Sequence, residues 1–209
     1  MRILGLTGSI GMGKSVAAGV LRRLGVPVHD SDAAVHCAIG AGGAAVDAVG
    51  RAFPGVARNG VIDRRALGDR VFGDPEALRR LEAILHPLVR SAADRMLATA
   101  ARRRAPIVAL DIPLLYETGA AARCDAVAVV SAPAFLQAQR VLRRKGMTPA
   151  RLAQILARQV PDAQKRQRAD FIVSTGLGRE RSLRALKRAL RTLRRRPGRA
   201  WRPGYTRLN

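Results

Sequence analysis

Five short runs of consecutive apolar residues punctuate the chain: Ile3–Leu6, Val26–His29, Ile107–Asp111, Ala126–Val130 and Phe171–Val173. They are apolar at nearly every position rather than at alternate ones, which suits strands buried on both faces. Longer stretches at helical spacing lie between them, so the pattern predicts a five-stranded parallel sheet with helical crossovers. Helix starts carry their own chemistry. Asp74-Pro75-Glu76 offers a capping carboxylate, a proline for the first turn and an acid for the helix dipole. Thr148-Pro149 repeats the arrangement before Ala150–Val160. From Val35 to Arg104 no run reads as a strand, and residues 35–104 are expected to form a helical insertion with loops at Phe53-Pro54-Gly55 and Asn59-Gly60. Towards the end, Leu183, Leu186, Leu190 and Leu193 share one helical face and predict a helix packed on the sheet. Residues 197–209 form a basic tail whose prolines and glycines predict loose chain.

Composition adds a strong charge and excludes some classes. The 209 residues fit a single domain, 48% of them are apolar, and 38 Lys+Arg against 15 Asp+Glu give a formal charge of +23. Such a field draws anions of every kind: nucleic acid, acidic lipid head groups and phosphorylated metabolites. Nearly all of the charge is arginine in a chain rich in Ala and Gly, so a solvated surface set by codon bias is an equally good reading of its bulk. Cys37 and Cys124 stand far apart without CxxC spacing, which argues against a zinc site or a disulfide framework and for a reduced, cytoplasmic setting. No apolar run approaches the roughly 20 residues that span a bilayer, so no membrane role is expected.

The most specific motif is Gly8-Ser9-Ile10-Gly11-Met12-Gly13-Lys14-Ser15, a full match to GxxxxGK[ST], placed between the strand Ile3–Leu6 and the helical run Val16–Leu24. Glycines there let backbone N–H groups turn inward around phosphate oxygens, and the helix N-terminus adds positive potential. Gly8, Gly11, Met12, Gly13, Lys14, Ser15 and Val16 are therefore expected to hold ATP, with Lys14 on the β- and γ-phosphates and Ser15 on Mg²⁺. His29-Asp30-Ser31-Asp32 follows the second strand, at the carboxyl end where open α/β sheets bind ligands. Asp32 is the candidate general base for a hydroxyl acceptor, and Asp30 either assists it or helps hold the metal. The competing reading is an Asx turn in which Asp32 is an ordinary N-cap. Asp111 ends the strand Ile107–Asp111 in the manner of a Walker B carboxylate, a further candidate for Mg²⁺; a plain turn residue is the alternative. The basic run Gln137–Lys145 is expected to be one helix of a lid spanning residues 132–160, with Arg140 and Arg144 on a shared face as the pair that neutralises the transferring phosphoryl group.

In this order the motifs resemble the dephospho-coenzyme A kinase family, from Met1 to about Gly178. Leu6–Ser15 is similar to that family's LTGGIGSGKS, Val28-His29-Asp30-Ser31-Asp32 to its VIDAD, and Ile62–Leu67 to its LxRxxL. Ile84-Leu85-His86-Pro87 matches its HP and Asp111–Glu117 its DxPLLFE, with Gln139-Arg140, Arg144, Gln159 and Ala169-Asp170 completing the series. The resemblance implies a P-loop kinase core with a helical coenzyme-binding insertion and a helical lid. It implies ATP-dependent phosphorylation of the ribose 3′-hydroxyl of dephospho-coenzyme A, with Asp32 as base and Arg64, His86 and Glu117 lining the acceptor pocket. Ser9 departs from the usual second glycine and Met12 from a small residue. Thr175 stands where the family often has Asn, so its contact with adenine would rest on a hydroxyl alone.

Three rival readings fit less well, and one of them, a nucleotide monophosphate kinase, would carry a base-specific insertion that this chain does not show. A shikimate-type kinase also places aspartates after its second strand, yet would carry a glycine cluster where this chain has Asp111-Ile112-Pro113-Leu114-Leu115-Tyr116-Glu117. A nucleic-acid-binding ATPase would suit the charge, but aromatic residues are only 3% of the chain, too few for a stacking surface along the basic residues, so nucleic acid is not the expected partner. Oligomeric state leaves no signature in the sequence.

Overall fold

A computed structural model describes residues 1–198 and divides into two compact units: residues 30–97, and the remainder of the chain. The larger unit is built on β1 (Arg2–Thr7), β2 (Val28–Asp30), β5 (Ile107–Asp111), β6 (Ala126–Ser131) and β7 (Phe171–Ser174), in the order β2-β5-β1-β6-β7. All five expected strands are present. β1 lies at the centre, parallel to β5 (Arg2 opposite Ile107, Leu6 opposite Asp111) and to β6 (Leu4 opposite Ala126). Its burial on both sides explains why its residues show no alternation. Leu4, Leu6, Ala109, Ala128 and Val130 form the sheet's core with Leu21 of α1 (Lys14–Arg23) and Leu186, Leu190 and Leu193 of α9 (Arg179–Arg195).

Helix ends follow their sequence signals. α1 closes at Gly25 (φ 76), with Val26 N–H on Leu21 O at 3.1 Å and Gly25 N–H on Arg22 O at 3.0 Å, the paired bonds of a Schellman cap. α7 (Pro149–Ala157) starts on Thr148, whose hydroxyl accepts from Arg151 N–H at 3.2 Å. The helix expected over Gln137–Lys145 ends sooner than expected. α6 spans Ala134–Leu142, and Arg143–Lys145 lie in the turn that leads to Gly146 (φ 78). Arg144 therefore does not share a helix face with Arg140: the left-handed glycine and the Thr148-Pro149 start end one helix and open the next. The segment between β6 and β7 is completed by α8 (Asp162–Gln167).

The smaller unit holds α2 (Ser31–Ile39), α3 (Val46–Ala52), α4 (Arg64–Val71) and the greater part of α5 (Pro75–Arg102) around Val49, Phe53, Val56, Ile62 and Leu67. It also contains a two-stranded hairpin that the apolar pattern did not foretell, β3 (Ala57–Arg58) with β4 (Val61–Ile62). Strands of two residues leave no periodicity to detect. The turn between them does carry a signal: Asn59 (φ 49) and Gly60 (φ 72) both adopt the left-handed region that this hairpin turn demands. α5 begins on Asp74, which accepts from Glu76 and Ala77 N–H, and continues through Pro87. Among the described residues no helix is long and apolar enough to cross a membrane. Of the basic tail, residues 199–209 lie outside the described residues.

Candidate active site

The glycine-rich loop turns from β1 into α1 where strand order brings β5 and β6 to either side. Three of its glycines are sterically required. A Cβ on Gly8 would stand 2.5 Å from Val130 O, and one on Gly11 would stand 2.6 Å from Val141 Cγ2. Gly11 (φ 77) and Gly13 (φ 89) occupy the left-handed region. Ser9, which departs from a glycine, is buried and is not among the positive-φ residues, so the exchange imposes no backbone strain. Gly13 is the N-cap of α1 and brings no side chain to it. The first N–H groups of a helix have no intrahelical acceptor, so this end is formed to take an anion.

Lys14 Nζ lies 2.6 Å from Asp111 Oδ1, with the carboxylate side chain 2% exposed. The P-loop lysine and the carboxylate at the end of the neighbouring strand thus meet directly. Ser15, on the first turn of α1, is exposed, as is Val16.

Side chains from the 132–175 region grip the loop. Gln137 Nε2 donates to Ile10 O at 2.8 Å, and Gln159 Oε1 accepts from Ile10 N–H at 3.2 Å, so both ends of one residue are held by amides. Met12 is buried with its Sδ 3.1 Å from Ala132 N. The Thr175 hydroxyl donates to Met12 O at 2.6 Å and accepts from Arg140 Nη1 at 3.1 Å, while Arg140 Nη2 donates to Thr175 O at 3.0 Å. Arg140 Nη1 also reaches Gly11 O at 3.3 Å. Thr175, expected at adenine, thus has its hydroxyl committed to the loop and to Arg140. Arg140 is half-buried against the loop, and Arg144 is exposed beyond the end of α6.

Glu117 follows the Walker-B-like segment. Its Oε1 accepts from Val160 N–H at 2.8 Å and lies 2.9 Å from Nζ of Lys165, a lysine with no solvent exposure. Burial pushes the Glu117 carboxyl up, but the Lys165 hydrogen bond and the N–H groups of Glu117 and Val160 outweigh it and hold the group below its usual value. One helical turn earlier, Asp162 Oδ2 accepts from Ser131 Oγ at 2.7 Å. Gln159 enters the sequence only through the family resemblance, and Gln137 and Lys165 carry no site expectation there. Uncharged amides carry no motif, and Lys165 sits in a basic run that reads as solvated surface. One signal was available: the chain has only four lysines, Lys14, Lys145, Lys165 and Lys187, among its many arginines.

In the smaller unit Asp30, not Asp32, is the N-cap of α2, accepting from Ala33 N–H at 3.1 Å. Asp32 lies in the first turn and is exposed. Arg64 opens α4 behind its cap Asp63, which accepts from Arg65 and Ala66 N–H. Both Arg64 and His86, the latter directly before Pro87 in α5, are exposed.

The chain is similar to known proteins along most of its length. The family model described as dephospho-CoA kinase matches residues 2–178. A dephospho-CoA kinase of Rhodospirillum rubrum is 60% identical over 203 residues, covering 97% of this chain and 96% of that protein. Another, from Paramagnetospirillum magneticum, is 66% identical over 166 residues, covering 79% of this chain and 78% of that protein. Among solved structures, TT1252 from Thermus thermophilus is 37% identical with a TM-score of 0.79, over 91% of this chain and 96% of that one. The P-loop core, the carboxylate facing its lysine and a match that runs through both units place the chain in the dephospho-CoA kinase family.

Proposed function

We propose that the protein transfers the γ-phosphoryl group of ATP to the ribose 3′-hydroxyl of dephospho-coenzyme A, the step that completes coenzyme A. The observation that carries the nucleotide half is the Lys14–Asp111 pair at the mouth of the glycine loop. The acceptor half is supported by 60% identity over nearly the whole chain to a protein named dephospho-CoA kinase.

The chain's own groups divide the work. Loop N–H groups and the α1 terminus bind the phosphates, and Lys14 follows the β- and γ-oxygens as charge develops on them. Mg²⁺, when bound, would offset the negative charge of the phosphates. Ser15 and Asp111 are the residues that would hold it, a hydroxyl and a carboxylate being the hard oxygen donors this cation takes. Asp30 sets the turn that presents Asp32. Asp32 accepts the proton of the acceptor hydroxyl, and its exposed carboxylate suits that part. Arg64 and His86 are assigned to the acceptor, as donors for its phosphates. Exposed Arg144 belongs with the lid, free to approach the transferring group, while Arg140 braces the loop from behind.

The test is ATP consumption with Mg²⁺ in the presence and absence of dephospho-coenzyme A, with shikimate and AMP as parallel acceptors. Turnover is expected only with dephospho-coenzyme A. Asp32→Asn should abolish it while ADP binding, measured by calorimetry, stays within about twofold, as for removal of an interaction confined to the transition state. Near-wild-type turnover by Asp32→Asn would overturn the base assignment. Hydrolysis that ignores the acceptor and is stimulated by RNA would overturn the kinase reading.

A further inference from the structure

We propose that the buried pair Glu117–Lys165 is a positioning element for the nucleotide loop, acting through Gln159, and not part of the acceptor pocket. This rests on the nucleotide half of the function above and is independent of which acceptor is used.

The connection can be followed atom by atom. Lys165 Nζ, on a side chain with no exposure, stands 2.9 Å from Glu117 Oε1. The same oxygen accepts the N–H of Val160 at 2.8 Å. Val160 is joined by one peptide bond to Gln159, whose Oε1 receives the N–H of Ile10 inside the glycine loop at 3.2 Å. The stretch 159–165 thereby meets one carboxylate at two points, Val160 and Lys165, and reaches the loop from Gln159, the residue just before the first of them. Its other contacts run the same way: Ser131 Oγ donates to Asp162 Oδ2 at 2.7 Å, and Ser131 O accepts from Thr175 N–H at 2.9 Å. Arg168 lies over the Tyr116 ring at 4.4 Å, beside Glu117 in the chain.

Burying an ammonium and a carboxylate is a costly way to join two segments, since a well-packed apolar pair often does as well. What the ion pair adds is a specific attraction: two opposite charges 2.9 Å apart favour one placement of the helix over others more strongly than an aliphatic contact does. Here the narrowly placed object is the peptide before the amide that holds Ile10. A loop that must present several N–H groups to phosphate oxygens loses affinity with displacements of a few tenths of an ångström.

Acceptor contact and loop positioning predict different kinetics for one substitution. Glu117→Gln keeps the size of the side chain and an acceptor oxygen for Val160 N–H while removing the charge that orients Lys165. We expect it to weaken ADP binding, read by calorimetry without acceptor, by about tenfold, within the span of couplings carried through packed networks. KM for ATP should rise with it, while KM for the acceptor stays unchanged. Gln159→Met, which cuts the last link directly, should do the same. In the double variant the two effects should not multiply, because both break one chain of contacts. Lys165→Met combined with Glu117→Gln removes both charges and spares the fold an unpaired one, so it supplies the reading if Glu117→Gln alone does not fold. A raised acceptor KM with unchanged ADP affinity would overturn the proposal in favour of direct acceptor contact. Lowered thermal stability with unchanged ADP affinity in all variants would reduce the pair to a structural brace and overturn it equally.

Discussion

Replacing Thr175 by Val tests how firmly the loop depends on the strand end behind it. The two side chains have nearly the same shape, so the change removes a hydroxyl and little else. Two hydrogen bonds go with it: the donation to Met12 O at 2.6 Å and the acceptance from Arg140 Nη1 at 3.1 Å. Arg140 keeps its bonds to Thr175 O and Gly11 O, so its own loss is small. The Met12 carbonyl fares worse, because Met12 is only 2% exposed and water does not readily replace the lost donor. A net bond contributes about 1 kcal/mol and an unsatisfied buried acceptor costs about 1–3 kcal/mol, so about 2 kcal/mol of stability should be lost. For a chain of this size that corresponds to a fall in Tm of about 4–8 °C. ADP affinity should weaken as well, since Met12 lies in the loop, whereas Thr175→Ser, which keeps the hydroxyl, should restore most of it. Calorimetric melting and ADP titration of the three proteins give both numbers. A valine variant with the wild-type Tm and wild-type affinity would refute the claim that this hydroxyl holds the loop.

Arg104 occupies the left-handed region (φ 54) as the residue after the cap of α5, where Ala105 N–H reaches Ala100 O at 2.9 Å. Arg104→Gly should therefore stabilise the protein by about 1 kcal/mol, read as a higher denaturant midpoint. Of the two thiols, exposed Cys37 should react with an aromatic disulfide reagent at once, while Cys124, whose thiol burial pushes up to about 12, should react only on unfolding. Glu117 has a carboxyl held below its usual value, so its contribution to stability is complete above about pH 4.5 and is lost as pH falls through the folded value. The Tm of the wild type should accordingly fall more steeply than that of Glu117→Gln on acidification below pH 4.5.

Much of the core was legible because its physics is local. A strand buried on both faces needs apolar residues at nearly every position, as β1, β5 and β6 have, and the five apolar runs coincide with the five strands of the large sheet. Caps were equally readable, since Asp74 and Thr148 work through N–H groups two or three residues away. The glycine loop announced itself because its turn admits so few residues at Gly8, Gly11 and Gly13. What the chain concealed is non-local. Whether the basic run after Gln137 stays helical was decided by Gly146 and the helix start behind it, and propensity alone carried the expected helix three residues too far. The grip of Gln137, Gln159 and Thr175 on the loop depends on a meeting between β1, β6 and β7 that no spacing records. Lys165 shows the difficulty most plainly. By sequence it is one of a cluster of surface cations, and only the fold reveals that its partner is a glutamate far back along the chain.

The central place of β1 has a consequence for the order in which the molecule assembles. Its pairing partners, β5 and β6, begin at Ile107 and Ala126, so the first strand made has no neighbour until half the chain has followed. Closing a loop of that length costs roughly 4 kcal/mol of chain entropy before any sheet contact offsets it. Residues 30–97, by contrast, are contiguous and have a core of their own. Low contact order favours early formation, so amides around Val49 and Leu67 should gain protection from exchange before those of β1. The nucleotide loop, hung from that last-formed strand, would be the final part of the protein to take shape, and the ability to bind ADP should appear only as the whole sheet closes.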